Sequence, residues 1–269
     1  MSILMLTIIV CAQAELVETS PDETQLVTED QWGWLELIKK EFVTSVGIYQ
    51  PKEEYLLWAH KTAGQLMLEA DSRDCPEMFV FADRNPDIQL IMLGFYAGQG
   101  VVVALGWDQV STGNPKPVRE YHYTPCGAFA NTTDNFSYRA KGTKNSRGWR
   151  GFGSKGMRVW DFGWQWTVKP IRGRLDPREI RLLMHATDPD LGQPLLGSVQ
   201  SKGCVRISEK LNRLLDRYCV LDQLYLAELP SARIKAILSK DHFPTGLEGR
   251  FMLVADSSGA FPTAEKNNN

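Results

Sequence analysis

The sequence predicts a mainly β domain with small helices, preceded by a helical N-terminal segment. Residues 78–131 are rich in Val, Ile, Phe and Tyr and are punctuated at Asn85-Pro86, Gly98-Gln99-Gly100 and Gly113-Asn114-Pro115, the composition of short strands joined by turns. From Trp32 to about Ala70 the apolar residues instead recur with helical spacing: Trp34, Leu35, Ile38 and Phe42, then Tyr55, Leu56, Trp58, Leu66 and Leu68, with a break near Pro51. Ile180, Leu182, Leu183 and Met184 return to a strand pattern.

In chain order, residues 15–30 are polar and acidic and read as a leader. The helical stretch that follows is expected to brace one side of the sheet, closing an N-terminal segment at 15–75. Phe79-Val80-Phe81-Ala82-Asp83 and Gln89-Leu90-Ile91-Met92-Leu93 read as the two arms of a hairpin. Ser208 is placed to cap a helix from Glu209 to about Tyr218, its hydroxyl accepting a backbone N–H while Glu209 favours the positive end. Leu211, Leu214, Leu215, Tyr218 and Cys219 form one apolar stripe on that helix, so Cys219 is expected to be buried. The last residues, 257–269, are polar.

With 269 residues, 43% of them hydrophobic, the chain is long enough for a full core. A net charge of −2 provides no overall basic footprint for nucleic acid. The first fourteen residues carry no charge and end in Ala12-Gln13-Ala14, an apolar stretch with a cleavage-like end. This predicts a signal peptide at 1–14, export to the periplasm or cell envelope, and no stable membrane insertion after its removal. The run is well short of the ~20 apolar residues needed to span a bilayer. Among the five cysteines, Cys75, Cys126 and Cys219 are an odd set that allows at most one disulfide. The cysteines and the four histidines show no zinc-like spacing, so neither metal nor cofactor is expected.

Chemistry concentrates in Ser201-Lys202-Gly203-Cys204-Val205-Arg206 and in Met184-His185-Ala186-Thr187, nineteen residues upstream. A thiol attacks as the thiolate, and a neighbouring imidazole is the usual means of forming one near neutral pH. These segments resemble the signature of the YkuD-type L,D-transpeptidases, which runs roughly His-Gly-Thr, a spacer, then Ser-His-Gly-Cys-Ile/Val-Arg. Val110-Ser111-Thr112-Gly113 and Thr124-Pro125-Cys126-Gly127-Ala128-Phe129 resemble that family's Ser-Thr-Gly and Thr-Pro-x-Gly-x-Phe blocks, in the same order. The hairpin at 79–93 is a weaker echo. The resemblance spans about residues 76–225 and leaves 226–269 as a C-terminal extension. Ala186 stands where the family has Gly, and Lys202 where it has a second His.

The resemblance implies a β-sandwich catalytic domain that acts on peptidoglycan stem peptides. Cys204 would be the nucleophile and His185 the general base, its tautomer held by a backbone carbonyl. The N–H groups of Gly203 and Cys204 would receive the oxyanion, Ser201 would support the turn, and Arg206 would either brace the loop or bind a substrate carboxylate. Lys202, Thr187, Trp149 and Arg150 are the candidate substrate contacts. For Lys202 two readings stand: positive potential beside the thiol, or a side chain in solvent. The same fold would also serve an L,D-carboxypeptidase, a hydrolase releasing wall-bound proteins, or a non-catalytic wall-binding module.

An insertion at about 132–174 separates the blocks. It holds Trp149, Trp160, Trp164 and Trp166, and between Arg139 and Arg158 it carries seven basic residues and no acidic one. Two readings are open: a lid with Gly hinges, Trp to exclude water and basic side chains for substrate carboxylates, or a structural β-hairpin with a solvated basic face.

Overall fold

The computed structural model describes residues 28–70, 76–114, 120–171 and 174–261. The apolar leader expected at 1–14, and Cys75, lie outside them. No helix among the described residues is long and apolar enough to cross a membrane. Helices α1 (Glu29–Ser45) and α2 (Glu53–Glu69) precede strands β1 (Glu77–Asp83), β2 (Leu90–Gly98), β3 (Val101–Gln109), β4 (Gly127–Ala130), β5 (Tyr138–Arg139), β6 (Arg158–Ile171), β7 (Arg174–Ala186) and β8 (Val205–Ile207). Helices α3 (Glu209–Arg217), α4 (Gln223–Ala227) and α5 (Ala232–Ile237) follow, and β9 (Phe251–Ala255) closes the chain. The architecture is two β-sheets with few helices: a five-stranded sheet in the order β3-β2-β1-β9-β4 and a four-stranded sheet in the order β5-β6-β7-β8.

The helical segment is not confined to one side of the sheet. Alternate residues of β1 and β2 face opposite ways, and both sets are buried. Met78, Val80, Ala82, Ile91 and Leu93 share a core with Leu35, Ile38 and Phe42 of α1 and with residues of the four-stranded sheet and α3. Phe79, Phe81, Leu90, Met92 and Tyr96 pack instead with Tyr55, Ala59, Ala63 and Met67 of α2. The two helices therefore cover opposite faces, as the unbroken apolar run Met78–Ala82 requires of a strand buried on both sides.

Residues 226–269 are not an appendage. β9 inserts between β1, which it pairs in parallel, and β4, which it pairs antiparallel. A parallel neighbour from the far end of the chain leaves no local periodicity that would announce it. The cap of α3 is as expected, with the Ser208 hydroxyl accepting the Leu211 N–H at 3.0 Å. Cys219 is buried just beyond that helix, beside Tyr225, Ile234, Ile237 and Leu238.

The insertion divides in two. Residues 158–171 form β6, a central strand of the four-stranded sheet, with Trp160 fully buried. Residues 144–150 close a small hairpin through the Lys144–Arg150 bridge and the Asn145 N–H to the Trp149 carbonyl, 2.9 Å. The basic run is largely neutralised within the fold: Arg139 pairs with Asp216, Arg150 with Asp188 and Asp190, and Arg158 with Asp222. Acidic partners 38 to 77 residues away explain why the local sequence looked like a free basic face.

Candidate active site

The site lies on the outer face of the four-stranded sheet. Met184, Val205 and Ile207 point into the shared core. By strand alternation His185, Cys204 and Arg206 point the other way. β7 and β8 run parallel with Arg206 opposite His185, and Cys204 sits immediately before β8. The thiol and the imidazole are thus neighbours on adjacent strands of one face. No hydrogen bond joins them among the described residues; catalytic contacts are often long before substrate binds.

His185 is 2% exposed, and its Nδ1 lies 2.8 Å from the Ala186 carbonyl oxygen. A carbonyl can only accept, so Nδ1 carries the proton and Nε2 is left with a free lone pair. Burial lowers the imidazole to about 4, the Ala186 bond opposes this, and the Arg206 charge pushes it down further. The ring is therefore neutral at physiological pH. Phe152 meets it edge to face, with ring centroids 4.9 Å apart, and Tyr138 meets Phe152 edge to face at 5.9 Å.

Burial raises the Cys204 thiol; a hydrogen bond from the Leu183 backbone and the Arg206 charge pull it back down, and Asp161 pushes it up. Neutral thiol and neutral imidazole are accordingly the resting pair. Tyr138, raised to about 12 mainly by burial and next by Asp161, also feels the charge of Cys204. Cys126, the rival thiol, lies by Arg84 and Asp256 at the edge of the other sheet.

The remaining sequence blocks converge on the cysteine loop. Ser111 and Arg206 exchange both backbone hydrogen bonds at 2.9 Å, and the Ser201 N–H reaches the Thr112 carbonyl. Thr124 is buried between them: its hydroxyl accepts the Gly113 N–H and donates to the Gly203 carbonyl, both at 2.9 Å. Ser201 supports the turn by donating to the Cys204 carbonyl at 2.6 Å.

Several expected roles change. The Gly203 N–H donates to Ser201 Oγ at 3.0 Å, so it does not offer itself to an oxyanion. Gly203 is needed for its φ of +132° and because a Cβ would stand 2.7 Å from Ile180 Cδ1. The Cys204 N–H takes no hydrogen bond among the described residues and remains the candidate donor. Thr187 is buried and bonded to the Ile207 carbonyl at 3.0 Å, which makes it part of the scaffold. Arg150 holds the hairpin to Asp188 and Asp190. Trp149 lies against the Arg206 guanidinium, 5.8 Å from ring centre to carbon.

Lys202 projects into solvent and pairs with Glu120. The cation that acts on the sulfur is Arg206. Lys202→Ala is therefore expected to leave the pH dependence of Cys204 alkylation by iodoacetamide unchanged, while Arg206→Met moves it to higher pH. A shift in the lysine variant equal to that in the arginine variant would overturn the assignment.

Arg206 has a further property. Its Nε is buried and has no partner, and no carboxylate of the described residues pairs with its guanidinium. A buried N–H with no partner is costly unless something supplies an acceptor. Sequence reasoning missed Thr124, Tyr138, Phe152 and Asp161; only Thr124 carried a signal, as the first residue of a recognised block. No family model matches this chain, and no curated protein matches it.

Proposed function

We propose that this protein is a cysteine-dependent L,D-transpeptidase of the YkuD type acting on peptidoglycan tetrapeptide stems. The observation that carries the reading is the tautomer lock: His185 holds its proton on Nδ1 against the Ala186 carbonyl and keeps Nε2 unprotonated, on the sheet face to which Cys204 also belongs. The convergence of Ser111, Thr112, Gly113 and Thr124 on the cysteine loop supports it, since the resembling blocks then share one physical task.

In this mechanism Nε2 takes the Cys204 proton as sulfur attacks the carbonyl carbon of the third stem residue. The Cys204 N–H donates to the oxyanion. Removing a comparable donor in other enzymes costs ~3 kcal/mol. The tetrahedral intermediate collapses to a thioester as the imidazolium returns its proton to the departing D-alanine amine. An acceptor amine then attacks the thioester, gives its proton to His185, and the thiol is restored. A stem carboxylate on Arg206 would satisfy the orphaned guanidinium and relieve its repulsion of the imidazolium, making His185 more basic when substrate is bound. A peptidoglycan substrate and the apolar leader agree on the periplasm or cell envelope.

The test is mass spectrometry of residues 15–269 with disaccharide-tetrapeptide, beside the Cys204→Ala variant. Cross-linked dimers with loss of D-alanine, absent in the variant, are expected. Tripeptide without dimers would establish a hydrolase instead, and no acyl-enzyme at all would overturn the catalytic reading.

A further inference from the structure

Trp164 and Trp166 are 60% and 70% exposed on a strand whose earlier aromatic residues, Trp160 and Phe162, are buried in the core. In a regular strand all four would share one face, because side chains alternate with period two. A bulge intervenes. Asp161 pairs with Leu183, but the next pair is Trp164 with Arg181, so β6 carries one residue too many. Gly163 absorbs it with a φ of +77°, its N–H donating to Asp161 Oδ1 at 2.9 Å. The bulge transfers Trp164 and Trp166 to the face that bears Arg181, Leu183 and His185. The opposite face of this two-stranded arm is closed, with the Thr167 hydroxyl on the Tyr123 carbonyl at 2.7 Å and Lys169 buried.

We propose that Trp164 and Trp166 form a saccharide-binding platform that grips the glycan strand from which the stem peptide hangs. The glycan's identity rests on the transpeptidase reading; the platform itself rests on the arm. The two indoles are alternate residues ~7 Å apart along the strand, and the row leads away from the level of Leu183, beside Cys204, over ~14 Å. Flat, neutral rings carrying C–H groups on one side and hydroxyls at the edge suit such a row: the C–H face packs on indole while the hydroxyls keep water or meet Glu179, which stands opposite Trp166. Arg181, the cation opposite Trp164 on this face, is engaged with Asp161, and Glu179 adds a negative charge, so a polyanion finds little to hold it beside these rings. Arg181 also backs the Trp164 ring at 5.9 Å and, through Asp161, joins the arm to the surroundings of the thiol.

The test is titration of the full chain, in a Cys204→Ala background that cannot turn over, with a soluble hexamer of β-1,4-linked N-acetylglucosamine, followed by tryptophan fluorescence and calorimetry. Saturable binding is expected, weakened about tenfold by Trp164→Ala or Trp166→Ala and largely kept by Trp166→Phe. Absent binding, or binding indifferent to both alanine variants, would overturn the platform. So would a dimer in sedimentation, or adsorption to phospholipid vesicles, that the same variants abolish while the hexamer does not compete. Acyl-enzyme formation on free tetrapeptide separates the two readings. Hexamer binding without acylation would leave the platform and remove the transpeptidase; acylation without hexamer binding would do the reverse.

Discussion

Replacing His185 with Gln is expected to lower turnover on tetrapeptide by about 10²- to 10⁴-fold, the range by which a positioned acid–base group accelerates such reactions. Glutamine removes the proton acceptor while keeping a polar, uncharged side chain at this buried position. Loss of less than tenfold would show that the thiol finds its base elsewhere. A second readout is stability. The folded imidazole sits at about 4 because it is buried, below its ordinary value of 6.5. Between those values the unfolded chain binds the proton and the folded chain does not, so stability rises with pH across this window and is lost as pH falls through it. The expected loss from this group is about 3 kcal/mol between pH 7 and pH 4, and it should vanish in the glutamine variant. Denaturant unfolding of both proteins across that range would reveal the difference; parallel curves would mean that His185 is not held neutral.

The second large effect is expected at Asp222. Arg158 and Asp222 are each 0% exposed and paired at 2.7 Å, with Arg158 also donating to the Ile237 carbonyl at 2.9 Å. Asn131 reinforces the carboxylate, and the Arg158 guanidinium lies over the Tyr225 ring. Asp222→Ala leaves the buried guanidinium with only Asp216, 4.0 Å away and shared with Arg139, and is expected to cost about 3–5 kcal/mol in urea unfolding. Arg158→Met combined with Asp222→Leu should be far milder, because no charge is left alone. Equal losses in the single and double variants would show that packing, not charge, is at stake. The pair also bears on the site: Arg158 begins the strand whose next residue, Val159, pairs with His185, so a disordered start to β6 would loosen the base.

Local pattern sufficed for much of the fold. The β1–β2 hairpin, the strand that carries His185 and the capped helix after Ser208 depend on alternation, turn residues and a side-chain cap, all of them interactions over a few residues. Cys204 and His185 were legible as a candidate pair because a thiol and an imidazole are recognisable as residue types without a fold. The partners of Arg150, Thr187 and Lys202 were not legible for the opposite reason: a basic or hydroxyl residue near a thiol acquires its role from its partner, and Asp188, Ile207 and Glu120 are named only by folding.

The sequence by itself determined the β1–β2 hairpin, the strand that carries His185 and the helices at α1, α2 and α3, because short-range periodicity survives without a fold. Tertiary structure alone decided that β9 completes the five-stranded sheet, that Arg206 Nε finds no partner among the described residues, and that the Gly163 bulge turns two tryptophans from the core to the face that bears His185. Each depends on which distant strand or carboxylate arrives alongside, and a single slipped residue reverses the face of every side chain that follows.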